Sequence, residues 1–415
     1  MTLPRLLTGL QDGPVGFERH LRLHGELPSS SRRASAMVAE LMRAGLRGRG
    51  GGEFPLATKL EAARRSPGTA VVLVNGCEGE PMSLKDRLLL ESLPHLVLDG
   101  ARCCAELLGT DDVVIAVEET GRPSFDAIEV ALAARRDLDA DVLAVPAGYV
   151  SGQETALVGF INGGPAIPRH IPPRVTTRGV LGRPTLVANP ETLAHAALIA
   201  RHGAGWFRAL GTTEEPGSAL VTLSGAVAYP GVFEIEYGCT LASLTDAAGG
   251  LSAPARALLV GGYAGTWLDS GMSSSLSFSR TDLRRVGASP GSGVIVALPQ
   301  SACPVAEVTR VSSWLADQSA GQCGPCVHGL GAIADAMSAV CYGQGAEGAL
   351  DDIRRWSTQV VGRGACAHPD GAARFVTSAV SVFADELRDH ARHGLCDACE
   401  RRPTLATPTR RPVAA

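Results

Sequence analysis

Apolar and polar positions along the chain change rhythm three times. Over roughly the first 200 residues, "ASAMVAELMRAGL" carries apolar residues at helical spacing. "TAVVLVNG" and "DDVVIAVEE" are short continuous apolar runs of the buried-strand type, and "LPHLVLDGARCCAELLG" between them is helical. Strands alternating with helices predict a mostly parallel sheet, an α/β domain over residues 1–210. Residues 215–302 read differently. "SALVTLSGAV", "GVFEIEYG", "ARALLVGG" and "SGVIVALP" are strand-like around one helix, "TLASLTDAAGG", and form a small α+β module without a titratable cluster.

Residues 304–393 turn helical. Val305, Val308, Ser312 and Leu315 share one face, and Leu330, Ile333, Met337 and Val340 a second. Leu350, Ile353 and Trp356 form a third stripe, and Phe375, Ala379, Phe383 and Leu387 a fourth. Four short amphipathic helices predict a bundle. Residues 394–415 are rich in Pro and Arg and read as a disordered tail. No internal repeat is visible.

Composition narrows the class. The chain has 415 residues, 45% of them hydrophobic and 19% charged, which is globular and long enough for two or three domains. Its net charge of −4 and scattered basic residues argue against nucleic acid as a partner. The N-terminus lacks a signal-peptide pattern, and no run reaches the ~18 apolar residues of a membrane span. The expectation is a cytoplasmic protein without direct membrane insertion. Thiols stay reduced there, so the 11 cysteines read as metal ligands or buried fillers rather than disulfides.

Two stretches carry candidate chemistry. "AGLRGRGGGEFPLATKL" packs glycines and two arginines before Phe-Pro. Glycine lets backbone approach a ligand closely and arginine offers planar donors to phosphate, so the loop reads either as a phosphate cradle or as a surface turn. It does not follow the dinucleotide fingerprint, because Gly48 and Gly50 are followed by Glu53 and a helix, not a strand, precedes the loop. "SAGQCGPCVHG" holds Cys323 and Cys326 between the first two bundle helices, and "GRGACAHPDG" supplies Cys366 between the third and fourth, with His368 two residues on. In an up-down bundle those loops lie at one end, so three thiols converge. That suits zinc or an iron–sulfur cluster, the alternative being structural or free cysteines.

Six blocks in order resemble the NADH-binding flavoprotein subunits of NADH:quinone oxidoreductase (respiratory complex I), a family with relatives in NAD-linked hydrogenases and formate dehydrogenases. The glycine loop resembles G-L-R-G-R-G-G-A-G-F-P-T-G-x-K-W. "NGCEGEPMSLKDR" resembles N-A-D-E-G-E-P-G-x-x-K-D-R, and "YVSGQETAL" resembles Y-I-C-G-E-E-T-A-L. "GRPTLVANPETL" resembles G-x-P-T-x-V-N-N-V-E-T-L, "SGAVAYPGVFEIEYGCTLASL" the family's β-rich middle domain, and "SAGQCGPCVHG" the cluster loop E-S-C-G-x-C-x-P-C-R-x-G.

The resemblance implies an FMN-binding Rossmann-like α/β domain, a β-grasp-like, soluble-ligand-binding α+β domain and a four-helix bundle carrying an iron–sulfur site. It implies that Gly48, Arg49, Gly50 and Gly51 wrap FMN and its phosphate and that Lys59 adds positive charge. Asn75, Glu78, Gly152, Glu154 and Asn189 match flavin-contacting positions, and Phe54 and Glu80 match positions beside the nicotinamide nucleotide. The implied activity is that of an NADH dehydrogenase-like oxidoreductase. It passes electrons from NAD(P)H through FMN to a cluster, then to a ferredoxin-like or thioredoxin-like iron–sulfur protein or a membrane-associated redox subunit. Through such partners it would sit at the inner face of the plasma membrane.

The departures define alternatives. Ala320 stands where the family has its first cluster cysteine, leaving Cys323, Cys326 and Cys366 for a [4Fe–4S] or [3Fe–4S] cluster. His368 is either the substitute fourth ligand or a neighbouring histidine. Cys303 begins the helix leading to the loop, roughly 20 Å from it, and Cys396 and Cys399 face the same objection; "CDACE" could form a second, separate C-x-x-C site, though two thiols alone are too few. In the nucleotide pocket Cys77 replaces Asp, Gln153 the first Glu, Ala188 an Asn and Leu60 a Trp. Arg174 in "HIPPRVTTRG" replaces an aromatic. Its guanidinium plane can stack on adenine and suits a 2′-phosphate. A second reading is therefore an FMN/iron–sulfur relay that no longer binds nicotinamide nucleotide. A third is a zinc-stabilised scaffold, opposed by Arg49 and Lys59 together.

Overall fold

The computed structural model describes residues 3–29, 34–170, 172–344 and 346–408. The chain forms two compact units. The first takes Met1–Gly79, Leu84–Val221 and Glu234–Gly238; the second takes Glu80–Ser83, Thr222–Phe233 and Cys239–Ala415. The helical region thus falls within the second unit, whereas the β-rich middle is divided, with Ser218–Val221 and Glu234–Gly238 assigned to the first.

The first unit is built on a parallel sheet of β1 (Val71–Asn75), β2 (Val113–Glu118), β3 (Asp141–Val145) and β4 (Thr185–Ala188), in the order β3-β2-β1-β4. Val72 aligns with Val113 on one side and Leu186 on the other. The valine-rich strands show no alternation because parallel sheets are covered on both faces. The helices are α1 (Phe17–His24), α2 (Ala34–Ala44), α3 (Leu56–Arg65), α4 (Lys85–Ser92), α5 (Pro94–Leu108), α6 (Arg122–Ala133), α7 (Glu154–Ile161) and α8 (Pro190–Arg208). Val71, Leu73 and Val187 of the sheet pack with Leu157 and Val158 of α7 in one buried cluster. Helices α5 and α8 meet so closely that a Cβ on Gly100 would lie 2.0 Å from the Leu193 carbonyl oxygen. The chain steps outward from β1 to β2 to β3, then returns to place β4 on the other flank of β1. The crevice outside the carboxyl ends of β1 and β4 is a topological switch point, where open α/β sheets bind ligands.

The second sheet, of β5 (Ser218–Gly225), β6 (Gly231–Glu236), β7 (Ala255–Val260), β8 (Thr266–Asp269) and β9 (Val294–Pro299), follows the order β6-β5-β9-β7-β8. β5 and β9 are parallel, and β7 is antiparallel to both β8 and β9. Helix α9 (Leu241–Ala247) falls where expected; α10 (Ser270–Ser273) and α11 (Arg280–Arg285) are short. Strand β8 was not foreseen, because four residues between a glycine turn and a helix carry no period. The helical region comprises α12 (Pro304–Asp317), a π-helical turn (Pro325–Leu330) running into α13 (Gly331–Tyr342), α14 (Ala349–Val360), α15 (His368–Val382) and α16 (Ala384–His393). The fourth expected helix is in fact two, broken at Phe383 where ψ is 34°.

The expected disordered tail also needs correction. Residues 394–408 contain a 3₁₀ turn at Asp397–Glu400 and a fully buried Leu405. The amides of Thr404 and Leu405 donate to the Glu307 carboxylate at 2.6 and 3.1 Å. One apolar anchor and one buried acceptor order a stretch whose composition suggested none. Residues 409–415 lie outside the described residues. Among the described residues no helix is long and apolar enough to cross a membrane.

Candidate functional site

A cleft opens at the switch point. Its walls include Gly48, Gly50 and Phe54 of the glycine loop, Lys59 of α3, Asn75 at the end of β1, Gly152–Glu154 at the start of α7, and Val187–Asn189 where β4 enters α8. The loop closes on itself, with Gly48 N–H donating to the Phe54 carbonyl at 2.9 Å and Leu56 N–H to Leu46 at 3.0 Å. Gly51 takes φ +84°, and Glu53 is forced to φ +47°. Two helices begin at the cleft. Gln153 caps α7 by accepting from Thr155 N–H at 2.8 Å, and Asn189 caps α8 by accepting from Thr192 N–H at 3.4 Å. Remaining N-terminal amides and the helix dipoles favour an anion there.

Side chains across the cleft are held in place. Lys59 Nζ lies 2.5 Å from Glu154 Oε2 and donates to the Val187 carbonyl at 3.2 Å. Asn75 donates to the Gly152 carbonyl at 2.8 Å. A Cβ on Gly152 would sit 2.8 Å from that of Cys77, whose thiol burial pushes well up, so it packs as a neutral group. Asn189 Nδ2 donates to both Asp86 oxygens at 3.0 Å. Asp86 also faces Lys85 Nζ at 2.9 Å, and Lys85 reaches Glu191 at 2.9 Å, all three buried. Burial opposes the Lys85 charge, but Asp86 and Glu191 outweigh it and hold Lys85 above the ordinary lysine range. The K-D-R stretch thus fixes the cap of α8.

The structure brings Gly48, Gly50, Lys59, Asn75, Gly152, Glu154 and Asn189 to one cleft, with Phe54 at its rim and Arg174 Cζ 5.9 Å from the Phe54 ring. It departs from expectation at four residues. The Arg49 guanidinium turns inward, donating to Tyr237 Oη at 2.8 Å and the Ser218 carbonyl at 3.1 Å, so it is not a cleft cation. Glu78 accepts from the amides of Asp86 and Arg87 at 3.1 and 3.0 Å and caps α4. Glu80 belongs to the second unit, where it accepts from Tyr263 N–H at 2.8 Å in the turn of Gly262. Gly51 shapes the loop without lining the cleft. Sequence reasoning missed Thr192, whose hydroxyl binds both Asn189 and the Arg49 amide; its place three residues after a cap was the available signal.

In the second unit, Cys323 and Cys326 flank the entry to the π-helical turn, and Cys366 lies between α14 and α15. Burial pushes the Cys326 thiol up to about 12, with Cys323 and Cys366 adding to the effect. Ser319 hydrogen-bonds Cys326, and the His368 amide reaches Cys366. Three neighbouring thiols, with an N–H donor beside one sulfur, are a donor set that fits a cluster. His368 is buried at the start of α15. Its buried ring engages the Leu315 carbonyl through Nε2 at 2.9 Å, which ties α15 to α12.

Comparisons with known proteins match both regions of the chain. Residues 41–197 match the family described as Nuo51 FMN-binding domain, and residues 306–390 the NADH-ubiquinone oxidoreductase-F iron-sulfur binding region. The F component of NADH-quinone oxidoreductase from Streptomyces coelicolor is 30% identical over 397 residues, covering 90% of this chain and 87% of that protein. Its namesake from Escherichia coli is 30% identical over 371 residues, covering 85% and 83%. A crystal structure of NAD+-reducing [NiFe]-hydrogenase in the H2-reduced state matches with TM-score 0.83 at 29% identity, over 94% of this chain and 67% of that chain. Fold and sites together define an oxidoreductase with an FMN-binding domain and a 4Fe-4S binding region. More narrowly, the chain belongs to the family of NADH-quinone oxidoreductase F components.

Proposed function

We propose that this chain oxidises NADH at the switch-point cleft and delivers single electrons through the Cys323–Cys326–Cys366 site to a ferredoxin-like or thioredoxin-like iron–sulfur partner. The observation that carries the reading is the cleft itself: a closed glycine loop, the Lys59–Glu154 pair and two helix N-termini meet at the carboxyl ends of β1 and β4. Those groups suit a flavin mononucleotide. When bound, FMN supplies the conversion between hydride and one-electron chemistry. The protein's part is positional. Gly48 and Gly50 let backbone approach the ligand, Lys59 and the amides of α7 and α8 face its anionic end, and Asn75 keeps the Gly152 turn in place. Phe54, 39% exposed, offers the nicotinamide nucleotide a stacking face, with Arg174 beside it.

The strand order of residues 215–302 supports a β-grasp-like module, and the helices after Cys303 support a bundle that carries the cluster. The location that goes with this reading is the cytoplasm, with membrane association through partners. The deciding measurement is the visible spectrum of anaerobically purified protein before and after NADH. Bleaching of a flavin band over a brown background is expected. A flavin spectrum that NADH leaves unchanged would overturn the nucleotide step in favour of the relay reading.

A further inference from the structure

The second cysteine pair, in "CDACE", is not alone. Cys303 caps α12, His390 lies in the last turn of α16, and Cys396 and Cys399 bracket the 3₁₀ turn that follows. Cys303 Sγ is 3.3 Å from His390 Nε2 and 3.5 Å from Cys399 Sγ, and Cys396 Sγ is 3.6 Å from Cys399 Sγ. All four atoms lie within 4.8 Å of one another. With metal–sulfur bonds of about 2.3 Å and metal–nitrogen bonds of about 2.0–2.1 Å, a tetrahedral ion sets ligand–ligand edges of about 3.6–3.8 Å. The sulfurs are too far apart for a disulfide, whose S–S bond is about 2.05 Å. They are also too tightly grouped for a cuboidal cluster, which takes a separate thiolate at each iron. His390 is oriented for ligation, because Nδ1 lies 3.1 Å from the Cys341 carbonyl and, donating there, turns the Nε2 lone pair towards the sulfurs.

We infer that Cys303, His390, Cys396 and Cys399 form a mononuclear Cys₃His zinc site, separate from the thiols at 323, 326 and 366. The two lie at opposite ends of α12, whose 14 residues span about 21 Å. Three thiolates and an imidazole in tetrahedral array suit zinc among the available divalent ions. Cys396 is exposed, which leaves the ion a way in. The site is a staple. Beyond it the chain runs back along one face of α12: Thr404 and Leu405 bind Glu307, the Leu405 carbonyl accepts from Arg310 at 2.9 Å, and the Pro408 carbonyl accepts from Trp314 at 2.8 Å. Positions 303, 307, 310 and 314 fall at helical spacing, so the metal begins a contact that three side chains continue. Tyr263 Oη donates to the Ala406 carbonyl at 2.6 Å, joining the strap to the residue that holds Glu80.

The test is metal analysis of the full chain with its cofactors. One equivalent of zinc per chain is expected alongside iron. In the Cys396→Ala/Cys399→Ala variant, zinc should be lost while iron and flavin stay at wild-type content, and cleavage of the C-terminal segment by protease should accelerate about tenfold or more. Loss of iron rather than zinc in that variant would overturn the assignment. Should the variant fail to fold, wild-type protein stripped of zinc and titrated with Co²⁺ decides. Tetrahedral d–d bands with thiolate-to-cobalt charge transfer are expected, and they must persist in Cys366→Ala. Absence of both zinc and the cobalt signal would sink the proposal.

Discussion

Lys59 Nζ lies 2.5 Å from Glu154 Oε2, so the lysine of the cleft wall meets a carboxylate before any ligand arrives. The Val187 carbonyl holds the lysine from a second side. A phosphate entering the cleft must share this cation with Glu154. Removing the lysine should cost more than removing its partner, because Lys59→Met leaves a carboxylate facing an anion. We expect flavin Kd to rise tenfold or more in Lys59→Met, about 1.4 kcal/mol or above, and to stay level or tighten in Glu154→Gln. Titration of the deflavinated protein with FMN, read by fluorescence quenching, checks both.

Asp86 is the hub beneath the cleft. It receives the Asn189 amide from the cleft side and, away from water, the Glu191 N–H and the Lys85 ammonium. Neutralising it removes one of the two buried carboxylates that hold Lys85; breaking one side of a buried ion pair typically costs about 3–5 kcal/mol, and with Glu191 still in place the low end of that range is expected. Asp86→Asn should therefore lower the urea midpoint markedly. It should also weaken flavin retention, since Asn189 loses the acceptor that orients it. Lys85→Met, which leaves Asp86 its two N–H donors, should be milder for flavin than for stability.

Glu53 sits at φ +47°, where the resembling loop pattern has glycine. A non-glycine residue in this region costs on the order of 1–2 kcal/mol. Glu53→Gly should relieve that strain, offset by the extra freedom glycine gives the unfolded chain, for a net gain of roughly 0–1 kcal/mol. Gly51→Ala, at φ +84°, should destabilise instead. Denaturant midpoints of the two variants should move in opposite directions.

What the sequence disclosed was local. The glycine loop, the C-x-x-C pair and the order of the blocks need only neighbouring residues, and the cleft and thiol loops follow from them. What it concealed depended on distant partners. Arg49 looked like a phosphate donor because Tyr237, 188 positions away, is invisible from the loop. Cys303 was correctly placed far from the cluster loop, but α16 returns His390 and the second C-x-x-C to the start of α12. Strand β8 and the break at Phe383 left no trace, because four residues give no period and an unbroken apolar stripe continues across the break.

Stability should depend on pH from both sides, and the signs differ. Burial pushes the Glu118 carboxyl up to about 7 from 4.5, against Arg87 and with Glu78 and Glu119. The folded form prefers the proton, so this contribution is full below about 4.5 and is lost as pH rises through 7. His24 and His95 act oppositely. Burial first, then the charge of His20 and of Arg201 or Arg135, holds both down to about 4 from 6.5. Their contribution is full above 6.5 and is lost as pH falls towards 4. Where the two effects overlap, between about 4.5 and 6.5, the two histidines outweigh the single carboxyl, so the wild-type melting temperature should rise to about pH 6.5 and fall only from there to about 7; Glu118→Gln should remove that alkaline limb and steepen the rise, by a few degrees at about 2–4 °C per kcal/mol. The acid limb should persist in that variant and recede in His24→Asn, where no proton is taken up on unfolding. Melting curves across the range for the three proteins separate the two groups, and an alkaline limb unchanged in Glu118→Gln would place its origin elsewhere.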